Sequence, residues 1–538
     1  MVTDTTPSTG FDYAPLRDKW YRQGWYSTRT CIDALHDGAA RHGESPVVFV
    51  TGQTETRSSV ADIHGQALAL AAGLQRLGVA CGDVVAVQLT NRLECAVAYE
   101  AVLLCGAVLV PIIHIYGPHE VGFILGESVA KVLIMAATSR STSNLDRLDD
   151  YARVATLQHT VLVGAESGQG YLGWSALPAR SAGYAEPSPS ADDVCLLLYA
   201  SGTTSAPKGV RHSHNSLLAE QATVADLIAG RPGDVQLVSF PPGHIAGVGS
   251  LLRPLMSGSH AVFVDSWDPA KAADIVARYR VTSTAGTPFH LEGLLDLGDT
   301  AEKLASLREF LVGAATVTDE QGRRAAAAGI TTYRCYGLTE HPTVTGGHPE
   351  DPDKTRLGTD GTPMRGSSVR ILGPNGTPVP PGQDGEVVVR GPDQFIGYHD
   401  PVLNAAAFTS DGWFRTGDLG HLDAEGRLSI TDRIKDVIIR AGETISSGQV
   451  EDILNAHPSV REAAVVAAPD PRYGDVVAAV VVLEPGACLD LDEVRRHFAA
   501  SGLAKQKTPE RLVIVESLPR TSLGKVRKAD LRATHFGR

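Results

Sequence analysis

Three short stretches of the chain hold residue types that could do chemistry together. Tyr199-Ala200-Ser201-Gly202-Thr203-Thr204-Ser205-Ala206-Pro207-Lys208-Gly209 follows the apolar run Val194-Cys195-Leu196-Leu197-Leu198, which reads as a buried strand entering a loop. No bulky side chain interrupts residues 200–207. Backbone N–H groups and the hydroxyls of Ser201, Thr203, Thr204 and Ser205 can therefore close around an anion while Lys208 neutralises its charge. The order differs from a Walker A loop, whose lysine follows Gly and precedes Ser or Thr; here Pro207 precedes Lys208 and Gly209 follows it. A solvated polar loop is the plain alternative. Tyr336-Gly337-Leu338-Thr339-Glu340 ends a run, 330–335, that reads as a strand. A carboxylate there suits Mg2+, which takes one or two carboxylates together with phosphate oxygens, although the pentapeptide also reads as an ordinary turn. Trp413-Phe414-Arg415-Thr416-Gly417-Asp418 sets one carboxylate in a tight turn. Its two oxygens could accept vicinal ribose hydroxyls or simply close an Asx turn.

Other charged groups are less telling alone. Arg433 and Lys435, within Asp432-Arg433-Ile434-Lys435-Asp436, read as a solvated face. Lys525, in Pro519-Arg520-Thr521-Ser522-Leu523-Gly524-Lys525, reads as a solubilising charge, though the Pro/Gly frame restricts where it can go. His212 and His214 flank Ser213; with no acidic or thiol partner nearby in sequence, a loop or capping role is favoured over a metal site.

The elements that must position these groups follow from periodicity. Residues 31–42 read as a helix, 84–89 as a strand, 93–105 as a helix, 107–111 and 132–135 as strands, a βαβ pattern with a parallel sheet. A helix over 215–229, ended by Gly230, is expected to point its N-terminus back at the 200–207 loop. Helix 268–279 and strand 283–289 continue the alternation. Gly/Pro punctuation over 361–430 predicts antiparallel hairpins appended to the main domain. Beyond the charged segment 433–436 about a hundred residues remain, the size of a small domain, reading as strands 463–466, 476–483 and 511–515 with helices 449–456 and 492–500. The expected organisation is a large domain 1–432 of layered α/β subdomains with a β-rich appendix, a hinge 433–436, and a small mobile α+β domain 437–538.

Composition narrows the function. The 538 residues are 43% hydrophobic and 20% charged, with a formal net charge of −13, which disfavours nucleic acid as a partner and shows no polybasic membrane patch. No stretch reaches the roughly 18 apolar residues of a membrane span. Seven scattered cysteines without a Cys-x-x-Cys pair suggest neither a disulfide framework nor a zinc site. With no basic and apolar leader at the N-terminus, the expectation is a cytoplasmic protein; a homodimer is left open.

The order Ser-Gly-Thr-Thr-x-x-Pro-Lys-Gly, followed by the motifs at 336–340, 413–418, 433–435 and 519–525, resembles the adenylate-forming superfamily of acyl-CoA synthetases, peptide-synthetase adenylation domains and luciferases. The resemblance covers most of 190–530. Around His114-Ile115-Tyr116-Gly117-Pro118, 240–247 and 336–345 it is closest to medium-chain and cyclohexanecarboxylate-type acid–CoA ligases. It implies ATP, Mg2+ and coenzyme A as cofactors and a small carboxylic acid as substrate: acid and ATP give acyl-AMP and pyrophosphate, then CoA gives the thioester and AMP. It assigns Ser201, Gly202, Thr203, Thr204 and Lys208 to phosphate, Tyr336 to adenine beside Gly337, and Thr339 to phosphate. Glu340 and Thr204 fall to magnesium, Asp418 to ribose, Arg433 to a nucleotide contact and Lys435 to the hinge. Lys525 becomes the catalytic lysine that bridges the attacking carboxylate and the α-phosphate, and His244 the gate near the acyl carboxylate.

Two departures stand out. The usual Gly-Gly-Ala floor is Gly313-Ala314-Ala315, where an extra methyl would shrink the acid pocket. The loop after the hinge reads Ala441-Gly442-Glu443-Thr444-Ile445, keeping Gly442 but altering the segment that resembles the approach to the pantetheine tunnel. These keep open an adenylating enzyme whose acceptor is a carrier protein, an amine, or an aromatic amine diazotised through activated nitrite.

Overall fold

Apolar strands four to seven residues long alternate with helices through the first half of the chain, and they assemble into stacked layers. The computed structural model describes residues 11–139, 142–178, 183–200, 207–228, 230–297, 301–313, 317–440, 443–501, 503–521 and 524–537. One sheet has the order Gly397–Tyr398, Lys208–Ser213, Val194–Ala200, Val108–Pro111, Val84–Gln88, Val132–Ala136, His159–Val163, Leu172–Gly173. Its central pairs are parallel, as the βαβ reading requires. A second sheet runs Thr362–Pro363, His341–Gly346, Thr331–Leu338, Glu309–Val312, Ser283–Gly286, Val235–Val238, His260–Val264, Pro46–Thr51, Thr54–Ser59.

Helix Leu93–Leu104 is apolar on every side because it is covered on every side. It packs among helices Val60–Arg76 and Ile245–Ser257 in one apolar cluster that takes Val85, Val87 and Leu109 from the first sheet and Phe49 and Phe263 from the second. The helical layer thus lies between the two sheets. Helices Pro269–Tyr279 and Pro288–Leu295 cover the other face of the second sheet.

The punctuated region forms the expected antiparallel sheet, Ser368–Leu372, Gly385–Arg390, Phe414–Leu422, Leu428–Arg433, closed over Val387, Val389, Phe395, Phe408 and Phe414. Past it, strands Val460–Asp470, Gly474–Leu483 and Arg511–Ile514 build a separate sheet with Ile438–Arg440 and Glu443–Ile445. Strand Gly474–Leu483 sends Val477, Ala479 and Val481 to helices Ser447–Asn455 and Leu491–Ala500, and Val476, Ala478 and Val480 to helix Lys528–Phe536. Both faces are covered, so the strand reads as an unbroken apolar run.

The stretch after the 201–206 loop differs from its sequence reading. Helix His214–Leu227, capped by Ser213 and Ser216, does not start at the loop. Strand Lys208–Ser213 intervenes, pairing Ala200 with Lys208 and Val194 with Ser213, so the helix begins about 17 Å away at the far end of a hairpin. Folding those six residues back satisfies the exposed edge of Val194–Ala200. The helix dipole therefore does not serve the loop.

Candidate active site

The hairpin carries Lys208 to the mouth of the first sheet. Its outer strand pairs with Gly397–Tyr398, which places the Lys208 Nζ 5.4 Å from the centre of the buried Tyr398 ring. The Tyr398 hydroxyl donates to Glu340 Oε1 at 2.6 Å. Glu340 sits at the tip of the turn between strands Thr331–Leu338 and His341–Gly346. Its pKa is raised chiefly by burial, opposed by the Tyr398 hydrogen bond and by the positive charges of Lys208 and Arg433. A half-buried carboxylate with too little compensating charge is a fitting oxygen donor for a hard divalent cation.

The turn itself is tightly built. Strand register slips at Gly337, where a Cβ would lie 1.8 Å from the Pro342 carbonyl oxygen, so the residue there has to be glycine. His212 Nε2 donates to the Thr339 carbonyl oxygen at 2.8 Å, and the Phe395 amide donates to the Glu340 carbonyl at 2.7 Å. Burial pulls His212 down to about 4, so the ring is neutral. It holds this turn through Nε2, while Nδ1 stands 3.3 Å from the hydroxyl of Ser216 in the cap of helix His214–Leu227.

A second group lies on the antiparallel sheet. Asp418 and Arg433 are cross-strand partners; Arg433 Nε lies 3.0 Å from Asp418 Oδ1, and the Tyr336 hydroxyl donates to Asp418 Oδ2 at 2.6 Å. Gly417, at φ +73°, makes the bend that turns Asp418 inwards. Lys525 arrives from the C-terminal region on a turn closed by the Thr521 amide donating to the Lys525 carbonyl, 2.8 Å. Gly524 packs on the Phe289 ring, where an added Cβ would lie 3.3 Å away, and the Arg520 guanidinium stands 5.5 Å from the centre of that ring. Lys525 keeps access to solvent, yet the groups crowding its ammonium and the nearby Arg433 pull its pKa down to about 8, against the opposing pull of Asp418. Lys435 is lowered too, by burial and then by Arg433.

The segment 432–436 is tied twice to the C-terminal region. Asp432 accepts from the Ser447 hydroxyl at 3.0 Å, at the start of helix Ser447–Asn455, and Asp436 pairs with Arg532 at 3.0 Å.

The structure thus gathers Lys208, Glu340, Tyr336, Asp418, Arg433, Lys435 and Lys525. His244 caps helix Ile245–Ser257, its Nδ1 accepting the Ala246 amide at 3.3 Å, and burial holds it near 4. Gly313 ends strand Glu309–Val312 beside Cys335. Ser201, Gly202, Thr203, Thr204, Ala314, Ala315 and Gly442 lie outside the described residues. Sequence reasoning missed Tyr398, the His212 support and Phe289, none of which stands in a motif with its partner.

Layered α/β architecture, antiparallel appendix and this charge grouping are those of an adenylate-forming enzyme. The family described as AMP-binding enzyme matches residues 35–399, and the AMP-binding enzyme C-terminal domain matches 449–525; the chain belongs to this family. It is 34% identical over 465 residues to a medium-chain fatty-acid–CoA ligase of Escherichia coli, covering 85% of this chain and 82% of the relative. It superimposes on ATP-bound MatB from Rhodopseudomonas palustris with TM-score 0.84 at 28% identity, covering 95% of this chain and 100% of the other. The o-succinylbenzoate CoA synthetase of Bacillus subtilis in complex with ATP and magnesium gives TM-score 0.79 at 26% identity, over 93% and 99% of the two chains. Among the described residues no helix is long and apolar enough to cross a membrane.

Proposed function

We propose that this chain is an ATP-dependent carboxylic acid–CoA ligase working through an acyl-adenylate. In the first half-reaction a carboxylate oxygen of the acid attacks the α-phosphorus of ATP. The bond from that phosphorus to the oxygen bridging the β-phosphate breaks, and pyrophosphate leaves. Both reactants are anions, so fixed positive charge that bridges them lowers the barrier. Lys525 supplies it at the α-phosphate, and Lys208 with the 201–204 hydroxyls and amides holds the β- and γ-phosphates. Tyr336 stacks on adenine, Asp418 takes the ribose hydroxyls, and Arg433, 3.0 Å away, orients Asp418. Glu340, with Thr204, would hold Mg2+, which supplies positive charge to the triphosphate. In the second half-reaction the C-terminal region turns about Lys435, the CoA sulfur bonds to the acyl carbon, the C–O bond to AMP breaks, and the thiol proton passes to solvent.

What carries the reading is that Lys525, from the last fifteen residues, shares one pocket of charge with Asp418 and Arg433. The test is pyrophosphate release across aliphatic, alicyclic and aromatic acids, with thioester formation followed with and without CoA. Acid-dependent pyrophosphate with matching thioester is expected. Acyl-AMP that accumulates unchanged in the presence of CoA would overturn the second half.

A further inference from the structure

Cys31, Cys195 and His214 stand far apart in sequence, yet the fold brings one side-chain atom of each within 4.8 Å of the others. Their exposures are 0%, 1% and 0%. Three local features aim them together. Cys31 is the first residue of helix Cys31–His42, behind the Thr30 cap, at the positive end of the helix. Cys195 falls at the slip between the Val194–Ser213 and Leu196–His212 pairs; it is the extra residue of a β-bulge, a device that redirects a side chain. His214 opens helix His214–Leu227, and its Nδ1 accepts the Cys31 amide at 3.2 Å.

That hydrogen bond decides between two readings of the cluster. A soft metal needs an imidazole lone pair, and the one on Nδ1 is already engaged. The neutral ring then carries its proton on Nε2, which is buried without a hydrogen-bond partner. What remains is two thiols side by side. The neighbouring Cys195 thiol pulls the Cys31 thiol down to about 6 against the effect of burial, whereas burial pushes Cys195 well above its ordinary value. A thiolate beside a protonated thiol is the pairing of an attacking and a resolving cysteine.

We propose that Cys31 and Cys195 are a peroxide-sensitive pair that closes to a disulfide, fastening the first long helix to the strand that enters the 201–206 loop. The Cys31 sulfur attacks hydrogen peroxide, an S–O bond forms, the O–O bond breaks and hydroxide leaves, giving a sulfenic acid. The Cys195 sulfur then attacks the Cys31 sulfur: the S–S bond forms, the S–O bond breaks, and the thiol proton departs with the oxygen as water. The modification does not depend on the proposed ligase reaction; its effect on ATP does.

The test uses the full chain with the exposed Cys81 and Cys488 replaced by Ser, treated with hydrogen peroxide and mapped as peptides without reduction. A peptide joining Cys31 to Cys195 is expected, lost on thiol reduction and absent from C31A and C195A. Finding both residues as free thiols, or oxidised but unlinked, overturns the pair, as does stoichiometric zinc that co-purifies on these residues and blocks the link. ATP affinity of the linked form is expected to fall several-fold and to recover on reduction. A link that leaves ATP affinity unchanged upholds the pair and removes only its effect on the loop.

Discussion

The Tyr398 hydroxyl holds Glu340 at 2.6 Å while its ring faces the Lys208 ammonium at 5.4 Å, so one buried side chain links the hairpin lysine to the turn carboxylate. Burial raises the Glu340 pKa and the Tyr398 hydrogen bond works against that rise. Removing the hydroxyl in Tyr398→Phe is expected to raise it further and to lower pyrophosphate release about tenfold to a hundredfold, the range for a hydrogen bond to a charged group. Because the anion is the working form, the loss should grow as pH falls, and the acid limb of the rate profile should move to higher pH. A uniform loss at every pH would show that Tyr398 acts only through packing.

Lys525 should leave a mark on the alkaline side. With its pKa pulled down to about 8, it is charged below that pH and neutral above it, so adenylation is expected to fall as pH rises through about 8. Lys525→Ala should cut adenylation roughly a hundredfold or more while sparing thioester formation from supplied acyl-AMP. Equal loss in both steps would remove the assignment.

His212 and His290 are buried and held near 4, and His244 is lowered as far. Each takes up a proton near 6.5 when unfolded, so the stability they contribute is whole above about 6.5 and drains away as pH falls towards 4. The unfolding free energy from denaturant melts should fall with acid across that window, and His212→Asn, which keeps a donor for the Thr339 carbonyl, should lessen that dependence on pH by about one proton.

Gly337→Ala would place a Cβ against the Pro342 carbonyl. The backbone must shift, at a cost of about 1–3 kcal/mol, and the Thr339–Glu340 turn shifts with it. A lowered Tm together with a raised Mg2+ requirement is the expected pair of readouts; a wild-type Tm would refute the collision.

Much of the architecture is written in local pattern. Helix Cys31–His42 and strands Val84–Gln88 and Val132–Ala136 fall where spacing of apolar residues puts them, because periodicity is set by neighbours a few positions apart. Strand Lys208–Ser213 was illegible for the converse reason: its polar residues become a strand only because the edge of Val194–Ala200 needs a partner. The site is similarly divided. The loop, the turn glutamate, the sheet aspartate and the terminal lysine each stand in a motif that resembles the family, so their types and order were plain before any coordinates. Tyr398 beside Glu340, His212 beneath Thr339, Phe289 under Gly524 and Cys195 turned towards Cys31 had no such signal. Each of those meetings joins residues 58 to 235 positions apart in the chain, counting from 340 to 398 and from 289 to 524. Separations that long are closed by sheet order and by a bulge, which depend on the whole packing and leave no periodic trace around either partner.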